Sequence, residues 1–161
     1  MKHYLIDMDD TLYQHPRNQK LNYNMSPNNE LISLLNECKY SKYIYTNATY
    51  NHANIILNKL NLDEQFTKIY SRDTMPLMKP ELNSAIDIEN NIRNRLENVN
   101  QKIHVFNLFD DLLPNLKTGK QRGWMTIWIS PLYRSKQNYE YVDHAFPDIK
   151  TALLYCNEYD I

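Results

Sequence analysis

Near its start the chain reads Tyr4-Leu5-Ile6-Asp7-Met8-Asp9-Asp10-Thr11, a short apolar run that leads directly into a cluster of carboxylates. The apolar residues predict a buried β-strand. Two carboxylates at the end of that strand cost free energy to hold together unless a cation or hydrogen bonds compensate their charge. Open α/β sheets bind ligands at the carboxyl ends of their strands. The stretch therefore predicts a ligand site at the end of the first strand.

The overall composition indicates one folded domain over residues 1–161 with no basic footprint for nucleic acid. The net charge is −1, and the length fits a single domain with its own core. No apolar run approaches the roughly 18 residues of a membrane-spanning helix, and the start of the chain lacks the pattern of a signal peptide. The two cysteines, Cys38 and Cys156, have no metal-binding spacing and are expected as reduced thiols. We therefore expect a cytoplasmic protein that contacts no membrane.

Glycine is scarce, and its scarcity excludes two common nucleotide-binding motifs. Only Gly119 and Gly123 are present. The P-loop and the glycine-rich dinucleotide fingerprint each need several glycines close together. Any phosphate site in this chain must therefore be built from side chains and cations.

Strand and helix patterns alternate along the chain. Ser26-Pro27 predicts a helix start, because a hydroxyl cap is followed by proline at the first helical position. Alternation of this kind predicts an α/β three-layer sandwich with a parallel sheet covered on both faces. After the first strand, further strands are predicted over 43–45, 68–70, 103–109 and 125–129, with a weaker sixth over 141–146.

Polar residues follow the predicted strands at the points where each strand ends. Because the carboxyl ends of parallel strands share one edge of a sheet, these side chains are expected to surround one cleft. Several carboxylates with a single lysine favour a hard divalent cation such as Mg²⁺, and the cation and lysine together suit a phosphate. A carboxylate in such a site can act as a nucleophile. The residues are Asp7, Asp9, Thr46, Lys79, Asp110 and Asp111.

The same residues make the chain resemble the haloacid dehalogenase superfamily of phosphohydrolases. The resemblance runs from residue 4 to about residue 155 and includes all four motifs of that family in order. It implies a Rossmann-like parallel sheet with central strand order 5-4-1-2-3. The motifs are Asp7-Met8-Asp9-Asp10-Thr11 after a hydrophobic strand, Thr46, Lys79-Pro80, and Phe109-Asp110-Asp111 followed by Asn115 and Gly123-Trp124.

The resemblance implies two catalytic carboxylates and a Mg²⁺ cofactor. Asp7 would be the nucleophile that attacks phosphorus, and it would also bind the metal. Asp9 would be the general acid and later the general base, with its backbone carbonyl on the metal. Asp111 aligns with the acidic metal ligand, and Asp110 would lie beside it and bind through water.

The resemblance also implies a phosphate-binding set. Thr46 and Asn47 would hydrogen-bond the phosphoryl oxygens, and Lys79 would neutralise Asp7 and the phosphoryl charge. Two positions depart from the family pattern, since Leu112 stands where a serine is common and Asn115 where an acidic residue is common. Both departures are expected to affect metal affinity more than mechanism.

The spacing of the motifs predicts that no large cap domain covers the cleft. Thr46 comes 37 positions after Asp9 and 33 positions before Lys79, which leaves room only for core elements and a short flap over about 12–25. The flap side chains could stack a base or hold a second anionic group, or the flap could be a solvated loop. They are Tyr13, His15, Arg17, Lys20 and Tyr23.

The sequence therefore predicts a Mg²⁺-dependent phosphomonoester hydrolase that acts through an aspartyl-phosphate. The first motif looks most like the pyrimidine 5′-nucleotidase branch, so a nucleoside 5′-monophosphate is the first expected substrate. One alternative is a capless phosphatase of phosphoproteins or nucleic-acid ends, and another is a binding module that retains the fold. A second copy of the chain could close the open cleft. The histidines look scattered, and only His15 is singled out for a test.

Overall fold

Strands and helices alternate along the chain in a computed structural model that describes residues 1–14, 25–95 and 103–161. The strands are Lys2–Ile6 (β1), Ser41–Tyr45 (β2), Lys68–Tyr70 (β3), Val105–Asp110 (β4), Met125–Ile129 (β5) and His144–Phe146 (β6). The helices are Asn29–Glu37 (α1), Tyr50–Leu60 (α2), Leu82–Arg95 (α3), Leu113–Gln121 (α4) and Ile149–Tyr159 (α5). Short 3-10 turns lie at Asp63–Gln65 and Tyr133–Asn138.

The strands of the described residues form one parallel sheet in the order β3-β2-β1-β4-β5-β6. The predicted central order 5-4-1-2-3 is confirmed, and the weaker sixth strand lies beside β5. β1 is central, with β2 and β4 as its neighbours. Parallel pairing places the carboxyl ends of all these strands at one edge, where the predicted motifs lie.

The side chains of β1 alternate between two apolar cores, one on each face of the sheet. Tyr4 and Ile6 pack with α1, α2 and α5, whereas Leu5 faces α3 and α4. All three are fully buried, and each contributes about 1.5–3 kcal/mol through the apolar surface that it removes from water. Helices therefore cover both faces of the sheet, which confirms the three-layer α/β sandwich. Because Asp7 follows Ile6 in this alternation, it lies on the same face of the sheet as Leu5.

The helix termini are set by side-chain caps. α1 begins at Asn29, and Asn28 is its cap, since the Asn28 carboxamide oxygen accepts a hydrogen bond from Leu31 N at 3.1 Å. The predicted start at Ser26-Pro27 is therefore wrong by two residues. α2 is capped by Thr49, whose hydroxyl accepts from His52 N at 3.3 Å, and this cap fixes the first turn of α2 beside the end of β2. α4 ends at Gln121, and Gly123 follows with a φ of 74°, near the predicted stop.

Only core elements lie between Thr46 and Lys79: the helix α2, a short 3-10 turn and the strand β3. Most of the predicted flap, including His15, Arg17, Lys20 and Tyr23, lies outside the described residues. None of the described helices has both the length and the apolar character needed to cross a membrane.

Candidate functional site

Three carboxylates from two adjacent strand ends meet at the carboxyl edge of the sheet. Oxygen atoms of Asp7, Asp110 and Asp111 all lie within 4.8 Å of one another. Asp7 continues β1 by one residue, because its backbone N–H donates to the carbonyl of Phe109 at 2.9 Å. Asp7 and Asp111 border a cleft of about 390 Å³, which Thr46 and Lys79 also line, whereas Asp110 is buried behind it. The structure thus brings the predicted motif residues together.

Lys79 lies between two of these carboxylates. Its Nζ is 2.7 Å from Asp7 Oδ1 and 2.6 Å from Asp110 Oδ2, and its side chain is only 3% exposed. Asn47 fixes the Lys79 backbone from both sides, since the Asn47 amide donates to Lys79 O at 2.8 Å and accepts from Lys79 N at 3.0 Å. The ring of Tyr45 lies 5.1 Å below the ammonium. The lysine is therefore held in place at both its backbone and its charged end.

Asp110 is fully buried, and both of its oxygens accept hydrogen bonds from the protein. Oδ1 accepts from Leu112 N and from the Asn115 amide, each at 2.9 Å. Oδ2 accepts from Lys79 and, at 3.1 Å, from the same Asn115 amide. Asp110 thus anchors Lys79, and its binding of a metal through water stays a prediction.

The close approach of the carboxylates changes how readily they ionise. Burial raises the pKa of Asp7, and the nearby Asp110 and Asp111 raise it further, while Lys79 opposes this rise. Burial and the neighbouring Asp110 raise the pKa of Asp111 to about 6. Burial alone would lower the pKa of Lys79, but its two carboxylate partners outweigh that effect and raise it. The cluster therefore holds more negative charge than the single lysine neutralises.

The donor set fits a hard divalent cation. Asp7 and Asp111 offer carboxylate oxygens a few ångströms apart, and the excess negative charge would be offset by a cation there. All of these metal-ligand atoms are oxygens, which Mg²⁺ prefers over nitrogen or sulfur ligands. The Trp128 indole N–H donates to the Asp111 backbone carbonyl at 2.9 Å and so fixes the position of this residue.

Asp9 lines the same cleft but is not part of the three-carboxylate cluster, and its side chain contacts Tyr13 and His52. Its Oδ1 accepts from the Tyr13 hydroxyl and lies 3.1 Å from His52 Nε2. The chain turns back after β1 to bring Tyr13 there: Asp10 has a φ of 60°, and Leu12 N donates to Met8 O at 2.9 Å. The Asp9 side chain is 35% exposed, compared with 10% for Asp7, so it can reach both a substrate and water.

Thr46 and Asn47 differ in what they can offer to a phosphate. The Thr46 hydroxyl oxygen accepts from Ala48 N at 3.1 Å, which leaves its hydrogen to be donated to an oxyanion in the cleft. The Asn47 amide is instead occupied by the backbone of Lys79. Phosphate binding by Asn47 stays a prediction, and the structure gives its side chain a positioning role that the sequence did not indicate.

Two side chains of the site were missed or assigned another role from the sequence. His52 was counted among the scattered histidines, yet it contacts Asp9. Asn115 was expected to affect metal affinity, yet its amide donates to both oxygens of Asp110. A signal for His52 was present in its position three residues after the Thr49 cap, which places it in the first turn of a helix that follows a motif strand.

By sequence, the chain matches no protein-family model and no curated protein. By structure, it is similar to the L-2-haloacid dehalogenase from Xanthobacter autotrophicus with chloropropionic acid covalently bound, with a TM-score of 0.59 and 15% identity over 82% of this chain and 62% of that enzyme. It is also similar to YfnB from Bacillus subtilis, a HAD-hydrolase by name, bound to magnesium, with a TM-score of 0.59 and 16% identity over 79% of this chain and 53% of that protein.

A third similar structure is described as a predicted phosphoglycolate phosphatase from Haemophilus somnus, with a TM-score of 0.56 and 17% identity. The match covers 78% of this chain and 55% of that one. The chain thus spans about three fifths or less of the length of these proteins. At such identities the likeness concerns the fold alone, and it confirms the fold that the resemblance implies. The described residues adopt the α/β fold of the haloacid dehalogenase superfamily of hydrolases.

Proposed function

We propose that the protein is a Mg²⁺-dependent phosphomonoester hydrolase that acts through an aspartyl-phosphate on Asp7. The observation that carries this proposal is the pairing of a buried carboxylate, Asp7, with Lys79 at 2.7 Å and with a second acidic group, Asp111, at the same strand edge. This set offers a nucleophile and positive charge to a phosphoryl group. A third carboxylate, Asp9, lies two residues after Asp7 in the chain. Phosphoryl transfer depends mainly on such positioning and charge stabilisation.

In the first step, an Asp7 oxygen forms a bond to phosphorus while the bond from phosphorus to the ester oxygen breaks. The electron pair of the broken bond goes to the leaving oxygen, which takes a proton from the Asp9 carboxyl group. Lys79 and the Thr46 hydroxyl stabilise the charge on the phosphoryl oxygens. Bound Mg²⁺, held by Asp7, Asp111 and the Asp9 carbonyl, would supply further positive charge to the transferring group.

In the second step, water attacks phosphorus and releases phosphate from Asp7. The Asp9 carboxylate accepts a proton from that water, so it returns to the protonated form in which the cycle began. Asp7 regains its carboxylate when its bond to phosphorus breaks. The side chain of Asp9 is more exposed than that of Asp7, which suits a group that must meet the leaving alcohol and then water.

The polar groups favour a phosphate ester over a halogenated acid such as the one bound to the Xanthobacter enzyme. Halide leaves as a stable anion and needs no proton, whereas an alkoxide leaving group requires one. Asp9, with Tyr13 and His52 directed at it, suits a proton donor. The acidic cluster also suits a cation-bound phosphate better than a singly charged carboxylic acid.

For the substrate, we propose a nucleoside 5′-monophosphate first, because the first motif looks like that of the pyrimidine 5′-nucleotidase branch. The second candidate is a phosphorylated macromolecule, because only α2, a short 3-10 turn and β3 occupy one of the two places where a cap could be inserted. A panel of nucleotides, sugar phosphates, a phosphopeptide and a 5′-phosphorylated oligonucleotide separates the two. Turnover confined to free nucleotides favours the first, and turnover confined to the macromolecules favours the second.

The activity is tested with para-nitrophenyl phosphate, with and without Mg²⁺. We expect phosphate release that requires Mg²⁺ and stops when the metal is removed by a chelator. L-2-Chloropropionate is the matched control substrate, and we expect no halide release from it. Full hydrolysis in excess chelator, or halide release with no phosphate release, would refute the proposal.

Metal binding should be visible as a pH-dependent gain in stability. The pKa of Asp111 is about 6 in the folded chain, against 3.8 as its ordinary value. Its protonated form therefore stabilises the fold below about pH 4, and this contribution is lost as the pH rises through about 6. We expect Mg²⁺ to raise the melting temperature at about pH 7.5, where the carboxylates are charged, and to have little effect at about pH 5.

Asp111→Asn is the matched variant for that experiment. It should raise the melting temperature of the metal-free protein at about pH 7.5, because a neutral amide replaces a crowded charge, and it should remove most of the response to Mg²⁺. Differential scanning fluorimetry measures both effects. An equal Mg²⁺ response in the variant and the unaltered protein would show that Asp111 is not a ligand.

A further inference from the structure

Two donors from different parts of the chain converge on a single oxygen of Asp9. The Tyr13 hydroxyl reaches Oδ1 from the turn after β1, and His52 Nε2 lies 3.1 Å from the same oxygen, in the first turn of α2. The hydroxyl oxygen and Nε2 are 3.5 Å apart, as expected for two donors that share one acceptor. When the Asp9 carboxylate is ionised it only accepts, so in that state His52 donates to it through a proton on Nε2.

His52 is itself held firmly. Its side chain is 15% exposed, and its backbone N–H is bound by the Thr49 cap that begins α2. The neighbouring Ala53 is fully buried in the core, which fixes the rotation of the helix. The imidazole therefore approaches Asp9 from a rigid element, and rigid support keeps a catalytic group in its productive geometry.

We propose that His52 is a positioning residue for Asp9: together with Tyr13 it holds Oδ1, so that Oδ2 is the oxygen that gives and takes the proton in catalysis. This inference rests on the proposed phosphatase function. With two donors on Oδ1, a proton on that oxygen would clash with them, so the carboxyl proton is carried by Oδ2. When Oδ2 gives its proton to the leaving alcohol, both donors stabilise the carboxylate that forms.

If His52 positions Asp9, the loss of activity when His52 is replaced should depend on the leaving group of the substrate. An alkyl phosphate needs protonation of its leaving oxygen, whereas para-nitrophenolate is stable enough to leave with little help. The ratio kcat/KM covers events up to the first irreversible step, which is transfer to Asp7 with loss of the alcohol. A substitution that leaves the Asp9 carboxyl group wrongly oriented should therefore reduce kcat/KM for the alkyl ester far more than for the aryl ester.

The test measures kcat/KM for ethyl phosphate and para-nitrophenyl phosphate, both with Mg²⁺. We expect His52→Ala to reduce the value for ethyl phosphate by about 10–100-fold and the value for the aryl ester by less than about 3-fold. His52→Gln, which keeps an N–H donor at a similar reach, should restore most of the lost alkyl activity. Tyr13→Phe removes one donor and should show a smaller loss in the same direction.

Two further variants serve as controls. Asn54→Ala, an exposed position on the same helix, should leave both esters unchanged. In the Asp9→Asn background, His52→Ala should cause little further loss, because the group that it positions is already gone. Further loss of alkyl activity in that background comparable to the loss in the unaltered protein would overturn the inference.

The outcomes separate the inference from the function on which it rests. Equal loss on both esters in His52→Ala, without rescue by His52→Gln, would mean a structural role and would overturn the inference. Activity equal to that of the unaltered protein on both esters would also overturn it. An unaltered protein that hydrolyses neither ester in the presence of Mg²⁺ would overturn the proposed function itself, and the inference with it.

Discussion

Asp7→Asn is expected to lower kcat/KM for phosphate esters by about 10⁴-fold or more. The amide has nearly the same shape as the carboxylate but cannot form the acyl-phosphate bond. The fold should persist, because Lys79 keeps its contact with Asp110 at 2.6 Å and the substitution removes a buried charge instead of adding one. Steady-state kinetics with para-nitrophenyl phosphate gives the activity, and circular dichroism confirms the fold.

The matched control for this variant is Asp10→Asn. It makes the same chemical change three positions along the chain, at a residue that has no part in the proposed reaction. Asn tolerates the left-handed backbone that Asp10 adopts at a φ of 60°, so the turn is kept. We expect kcat/KM within about 3-fold of the unaltered protein. A loss in Asp10→Asn as large as that in Asp7→Asn would contradict the assignment of the nucleophile.

Lys79→Met is expected to lower the free energy of unfolding by about 3–5 kcal/mol at neutral pH. The substitution keeps an apolar stem but leaves the carboxylates of Asp7 and Asp110 buried with no cation between them. Urea denaturation in the absence of metal measures the effect. The loss should shrink toward about pH 5, because burial raises the pKa of Asp7 to about 7 and protonation then removes its charge.

A second variant separates stability from chemistry. Lys79→Met combined with Asp110→Asn removes the lysine and one of its two carboxylate partners, so it should recover much of the lost stability. It should remain inactive, because the charge that faces the phosphoryl group is still missing. A Lys79→Met variant as stable as the unaltered protein, within about 1 kcal/mol, would contradict the ion-pair account.

The fold and the acidic cluster could be predicted because their signals are local. Tyr4-Leu5-Ile6 is apolar enough to mark a buried strand by itself, and parallel pairing then brings its carboxyl end to the same edge as that of the strand before Asp110. Thr46 follows from the same rule. The Lys79-Pro80 motif was sufficient to place Lys79 at the site. Its burial between two carboxylates explains why it can serve as the cation of the site.

The supporting contacts could not be predicted, because each joins residues that are distant in the chain. His52 meets Asp9 only because the cap at Thr49 sets the start of α2 beside the turn after β1. The Asn47 amide donates to the backbone of Lys79, 32 positions later in the chain, and no rule of sequence spacing predicts that contact. The start of α1 was misplaced because Ser26 and Asn28 are both good cap residues, and it is Asn28 that caps the helix.

The central claim is that Asp7 is phosphorylated during turnover. Mass spectrometry of protein quenched rapidly in acid during steady-state hydrolysis, with Mg²⁺ present, tests it most directly. The account predicts one added phosphoryl group that is released by hydroxylamine, located on the peptide that contains Asp7, and absent from Asp7→Asn. Steady turnover with a phosphoryl group on another residue, or with undiminished activity in Asp7→Asn, would contradict it.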